Sequence, residues 1–450
     1  MFNVPLEVAG KKLRPTQNRV PQMRKTVSYS LILLLGLTIC LVGCGGKNTG
    51  NSQKQGTPVA KANWKQNESV VFVDVDGKRL IDETDYSGAG TFSEGLCRVT
   101  AKESGLIGFI DIKGKLVIPC QFPDNPISSL VANGINNIRC NEMFHCGYAR
   151  VGSKNDNVLI DKKGNKVLEG YTAIDWDGEV AIVYKDRPHN QGIYTMDGKE
   201  IVSIGECRYR FIGEGMLACY SSQFHNWSIM DTKGQMITDN MEEMFANDYP
   251  FKEVGEFCDG RVFVKMAQDH SICLLNKNGN IEQSFDKSMS LVPVTHCNYY
   301  VDANAIYNSK YEKVAELPSD FRFSTVIPDE SMMLGVHKKN DYQNEGFANV
   351  KGEIVIPCQY YSCTDFSEGL AFFKDDDGWH IIDNNGTIHG SPLDKAIQRY
   401  WLGDFCANRS VIDNSTVIDE TGTIIPMPDV KEIDDFHYSG NDNSYLSDEI

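Results

Sequence analysis

The 450-residue chain holds fourteen cysteines, yet no two are separated by just two residues, which excludes the spacing of zinc ribbons and thioredoxin-type redox sites. Positive charge is scarce. Lys and Arg number 44 against 61 Asp and Glu, a formal net charge of -17 that argues against nucleic acid and anionic headgroups as electrostatic partners. No long stretch carries the 3.6-residue apolar stripe of an amphipathic helix, and no apolar run after the first 44 residues approaches the length of a membrane span. Nucleophile elbow, phosphate loop, dinucleotide fingerprint and His-Glu-x-x-His are all missing. No catalytic, cofactor-binding or metal residue is therefore assigned. A glycosidase needs only two carboxylates brought together by folding, so an envelope hydrolase stays as the alternative.

What is present begins with six basic residues (Lys11, Lys12, Arg14, Arg19, Arg24, Lys25) against the single acid Glu7, followed by an apolar run that ends at Cys44. That order reads as a secretory signal over residues 1–43. Met23 offers an alternative start that leaves a shorter signal of ordinary proportions. The leader carries a net +5, which leaves -22 on the remainder. Leu41-Val42-Gly43-Cys44 resembles the lipobox of bacterial lipoproteins, and the resemblance implies diacylglycerol on Cys44, export, and anchoring to a bacterial membrane outside the cytoplasm. Residues 44–69, rich in Gly, Ser, Asn and Gln, read as a flexible tether. Twelve cysteines remain, open to disulfide pairing or to plain burial.

From residue 70 to 428 one pattern recurs: an alternating apolar strand, a turn ending in Gly, and a second alternating strand. The turn glycines are Gly77, Gly114, Gly164, Gly198, Gly234, Gly279, Gly352, Gly386 and Gly422. Most gaps between them are 34 to 37 residues, and the gap of 73 contains a degenerate copy from Ile306, so ten units are expected. Asp111, Asp161, Asp231, Asp383 and Asp419 open the turns, where a carboxylate accepts hydrogen bonds from the backbone two residues on and Gly takes positive φ. Upstream segments such as FSEGLCRVTA (Phe92) and FSEGLAFFK (Phe366) add a third strand whose alternation puts one face inward and one outward. The acidic residues 429–450 read as a loosely held tail.

Phe92 to Phe122 and Glu345 to Ile388 resemble the bacterial WG-repeat family, in which FSEGLA-V leads to a Trp-Gly-Tyr-Ile-Asp strand, a Lys-Gly turn and Val-Ile-Pro. Gly108 and Gly346 keep the Gly of the name; Trp379 and Trp227 keep a Trp without it. The expected fold is all-β: about ten three-stranded β-repeats in one or more propeller-like rings, with an open β-solenoid or superhelix as the alternative.

One turn carboxylate per repeat falls short of the six to eight oxygens calcium takes, so the turn Asp residues, and the tip Asp375, Asp376 and Asp377, read as turn formers. Cys140, His145 and Cys146 lack a fourth metal ligand at a usual spacing. Cys120 and Cys358 share one repeat position, which implies equal burial. Trp227, Trp379, Trp401, Tyr360 and Tyr361 are the aromatics able to meet a sugar ring or peptide, weighed against packing. The expected function is a membrane-anchored binding or scaffolding module for protein, peptide or envelope glycan, with a purely structural envelope component as a further alternative.

Overall fold

The computed structural model describes residues 54–441, apart from 65–69, 82–85, 124–142, 154–155, 186, 238–249, 286–291, 295–298, 303, 309–311 and 325–331. The signal, Met23, Cys44, Cys140 and residues 442–450 lie outside the described residues.

Eight of the nine turns close by the same local chemistry, shared by Asp74, and at Gly198 the Thr195 hydroxyl accepts from the Lys199 N–H instead. Asp111 Oδ1 accepts from the Lys113 and Lys115 backbone N–H at 2.9 and 3.0 Å, while the Gly114 N–H donates to the Asp111 carbonyl. Asp161, Asp231, Asp383 and Asp419 make the same pair of bonds, and Asn276 and Asn349 stand in with their amide oxygens. The nine turn glycines have φ between 76° and 86°, the left-handed region where a side chain is strained. The strands flanking these turns join their upstream neighbours into small antiparallel sheets. Nine sheets are formed by the described residues, and apart from the first their strands pair in chain order. The seven-stranded sheet, Cys207–Phe211 to Ile281–Phe285, is held together at its middle by the single pair Trp227 and Phe251. A 3-10 turn at Arg399–Trp401 is the sole helix among the described residues.

Two expectations change here. Several sheets have four strands rather than three, as in Tyr86–Ser93, Leu96–Ala101, Ile107–Asp111 and Leu116–Phe122, because the segment ahead of the FSEG turn also pairs. The middle strands are covered on both faces. In Asp156–Asp161, Val158 and Ile160 pack with Phe109 of the preceding sheet, while Leu159 packs with Ile174 and Trp176 of the following one. Sheets that stack face to face bury both sides of a strand, so one face does not look out to solvent.

The structure also differs from the expected boundaries at both ends. Pro58–Trp64, inside the stretch read as tether, pairs with Val70–Val73 on one side and with Val430–Ile433, inside the stretch read as tail, on the other. His437–Tyr438 pairs with the start of the same strand. Ala60, Ala62, Val71 and Val73 then pack with Val411 and Val417 of the last sheet, and Val59 and Phe72 with Phe92 and Val99 of the second. Both terminal strands are short and polar in part; their pairing comes from partners roughly 370 residues apart, which local periodicity cannot register.

The FSEG turn clasps one sheet to the next. Glu94 and Gly95 both have positive φ (50° and 84°), as a tight hairpin of the primed type requires. That conformation aims the Glu94 carboxylate at the next repeat, where it accepts from the Gly147 N–H at 2.9 Å and pairs with Lys162 at 3.1 Å. Glu214 repeats the arrangement with the Gly260 N–H at 3.0 Å and Lys277 at 3.1 Å. Ser93 Oγ donates to the Phe144 carbonyl at 2.7 Å, and Ser367 Oγ to the Phe405 carbonyl at 2.9 Å. Glu368 instead holds Lys54 at 2.7 Å and accepts from the Tyr438 hydroxyl at 3.2 Å, tying the two termini to the frame.

Candidate binding groove

Between the outer strand Ile388–Leu393 and the hairpin Arg409–Ile412 with Thr416–Asp419, the chain makes a connection of 394–408 that contains the 3-10 turn. Trp379, buried at 1% exposure, anchors this connection by donating its indole N–H to the Ile397 carbonyl at 2.9 Å. Leu402 bridges Ile412, and the Asp413 N–H donates to the Trp401 carbonyl at 3.0 Å. Ile397, Leu402 and Phe405 pack the connection onto the sheets, and beside it lies an open pocket of about 490 Å³.

Its floor is apolar, from Leu393, Ile397, Ile412 and Ile418; its rim carries Trp401, Ile424, Asp394 and Asp413. Trp401 is 39% exposed and Ile424 62%. Tyr400, 76% exposed, meets Trp401 edge to face with ring centroids 5.3 Å apart. Asp394 accepts from the Ala396 N–H at 2.8 Å. Asp413, at φ 56° in the hairpin tip, has no side-chain hydrogen bond or ion pair among the described residues. Both carboxylates are exposed.

Of the five aromatics singled out in the sequence, Trp401 alone lines this pocket. Trp379 and Tyr360 are core, Tyr360 meeting Phe373 edge to face. Trp227 is half-buried against Tyr220, with the Arg210 guanidinium 5.4 Å from its ring centroid. Tyr361 is exposed and donates its hydroxyl to the Asp375 carbonyl at 2.7 Å. Tyr400, Asp394, Asp413 and Ile424 were not foreseen. The available signal was the adjacent pair Tyr400-Trp401 in a polar segment with no strand alternation, a setting that cannot bury both rings.

Among the described residues no group of His, Cys, Asp and Glu is arranged to hold a metal. His145 and Cys146 touch each other, Nε2 to Sγ at 3.4 Å, and the Tyr148 N–H closes a turn onto the His145 carbonyl. Asp375 forms the hairpin tip, receiving the Asp377 N–H at 2.9 Å and meeting His380 Nε2 at 2.8 Å. Among the described residues no two cysteines are joined in a disulfide, and burial pushes the Cys97 and Cys406 thiols up to about 12. Cys120 is half-buried and Cys358 buried; each sits where its strand presses on the neighbouring Gly. A Cβ on Gly108 would lie 2.6 Å from the Ile118 carbonyl, and one on Gly346 2.4 Å from that of Ile356. Register shifts on both strands bring the Ile-Pro-Cys segment this close, a physical reason for the Gly of the repeat.

What these features define is an all-β repeat protein of many small antiparallel sheets. Two of its segments are similar to a known repeat: the WG-containing repeat family matches residues 107–124 and 346–379, the two that hold Gly108 and Gly346. No curated protein matches the chain. Among solved structures it is similar to a eukaryotic initiation factor (10% identity, 86% of this chain and 99% of that one, TM-score 0.38). It is also similar to virginiamycin B lyase from Staphylococcus aureus (12%, 59% and 93%, TM-score 0.27). A third similarity is to PorZ, a surface component of the type-IX secretion system of Porphyromonas gingivalis (11%, 82% and 64%, TM-score 0.22).

Proposed function

We propose that the chain is an exported, lipid-anchored binding module: a closed propeller-like ring of about ten sheets, held to a bacterial membrane through Cys44, that takes protein, peptide or envelope glycan in the groove beneath Tyr400 and Trp401. The observation that carries the binding role is the groove itself. Trp401 and Ile424, both partly exposed, line it beside an apolar floor, and the exposed Tyr400 ring meets Trp401 edge to face. Exposed aromatic and aliphatic side chains grouped over a concavity cost solvation and mark contact sites. Closure of the ring is supported by the pairing of Pro58–Trp64 with Val430–Ile433 and by shared cores on both sides of that sheet. Binding is favoured over hydrolysis because Asp394 and Asp413 are both exposed, and neither has the apolar surroundings that make one carboxyl of a hydrolytic pair a proton donor.

Two measurements test this. Palmitate should label the full chain in cells and leave a Cys44→Ala variant unlabelled; equal absence of label from both removes the anchor. Immobilised full chain should retain envelope components that a Tyr400→Ala/Trp401→Ala double variant releases. Equal retention by a folded double variant removes the groove.

A further inference from the structure

We infer that the groove selects cationic peptide, an extended segment that sets a Lys or Arg between apolar side chains, rather than neutral sugar; this rests on the groove being the binding site. The charged residues that line the pocket are both acids, Asp394 and Asp413. Lys395, between Asp394 and Ala396 in the chain, is exposed and does not line the pocket, and the Arg399 guanidinium of the 3-10 turn acts on Asp365 and Cys363, where it opposes the effect of burial. The Asp413 carboxylate is left without a counter-ion among the described residues, and one oxygen of Asp394 is engaged by the Ala396 N–H.

The rings supply the second half of the recognition. Tyr400 and Trp401 sit edge to face, so each turns its π-face in a different direction, and an ammonium or guanidinium within about 6 Å of such a face is attracted by the ring quadrupole. The apolar floor of Ile397, Ile412 and Ile418 accepts the flanking aliphatic side chains, while the aliphatic stem of the Lys or Arg lies along Trp401. At long range the formal charge of -17 draws cations to the surface and turns anions away. Neutral sugar would find the rings but leave the carboxylate charges uncompensated, and an acidic peptide would be repelled by them.

The experiment is calorimetric titration of the full chain in neutral detergent with acetyl-Leu-Lys-Leu-Lys-Leu-amide, its Gln and Glu counterparts, and cellohexaose. The Lys peptide is expected to bind saturably, at least tenfold tighter than the Gln peptide, and to weaken as salt rises. Asp413→Asn should cut its affinity about fivefold or more while the variant folds, because Asn adopts the left-handed turn as readily as Asp. Equal affinity for Lys and Gln peptides, or an Asp413→Asn variant that binds as the wild type does, overturns the cationic class. Binding of cellohexaose in its place, lost in Tyr400→Ala, overturns it while leaving the groove as a binding site. Binding of none of the probes also overturns it, and the retention assay with the double variant then reports separately on the groove.

Discussion

At the scale of single residues, position in the frame decides cost more than residue type does. Gly198 and Gly352 share a φ near 80°, but a Cβ on Gly198 would meet nothing closer than 3.7 Å, whereas on Gly352 it would lie 2.6 Å from the Glu316 carbonyl of the preceding sheet. Gly198→Ala should cost about 1 kcal/mol from backbone strain alone. Gly352→Ala should cost roughly 3 kcal/mol, since the neighbouring backbone must also give way; urea unfolding of the two variants checks the difference. His437 makes a second residue-scale case. Burial holds its imidazole down to about 4, with Lys61 adding to the effect and the Asp435 carbonyl and Asp434 opposing it, and its Nε2 is buried without a partner. A base whose folded value lies below its unfolded one contributes stability that is complete above about pH 6.5 and is lost as pH falls toward 4. Burial would raise Asp161, Asp383 and Asp419, but hydrogen bonds within their turns outweigh it and hold them below the usual carboxylate range. Their contribution is lost at still lower pH. Stability measured from pH 7 to 4.5 should therefore decline in the wild type and be flatter in His437→Leu.

Among elements, the hairpin and the clasp differ in how far they could be read. Asp111 to Gly114 is chemistry within five residues, so its turn was legible from the chain alone. The Ser93-Glu94-Gly95 turn falls within a segment that reads as a strand, and its partners Phe144, Gly147 and Lys162 lie some fifty to seventy residues on. No periodicity within a segment encodes a bond to the next one. The groove was hidden for a related reason: Tyr400 and Trp401 occupy the one long connection whose conformation is set by Trp379 beneath it. If the clasp couples sheets, Glu94→Ala should cost about 1 to 2 kcal/mol by orphaning the Gly147 N–H, while Glu94→Gln, which keeps an acceptor, should cost less. Hydrogen exchange should show the added loss concentrated in Tyr148–Ser153 and Asp156–Asp161, the strands on the far side of the clasp.

For the molecule as a whole, the ends are part of the frame. Val430, Ile433 and Phe436 are buried with Ala60, Val71 and Val411, so removing residues 429–450 opens a core shared by the first and last sheets. A chain that stops at Pro428 should lose cooperative thermal unfolding, with new proteolytic cuts in Pro58–Trp64; a chain that stops after Asn441 should unfold as the full chain does.

The strand Pro58–Trp64 has a further bearing on the order of events in the cell. It leaves the ribosome long before its partner Val430–Ile433, which lies roughly 370 residues further along the chain. Until then one edge of Pro58–Trp64 stays open, and the core shared with the final sheet has no second wall. Pairing across those roughly 370 residues is therefore a late step, which waits until Val430–Ile433 has been made whatever order the sheets between them follow.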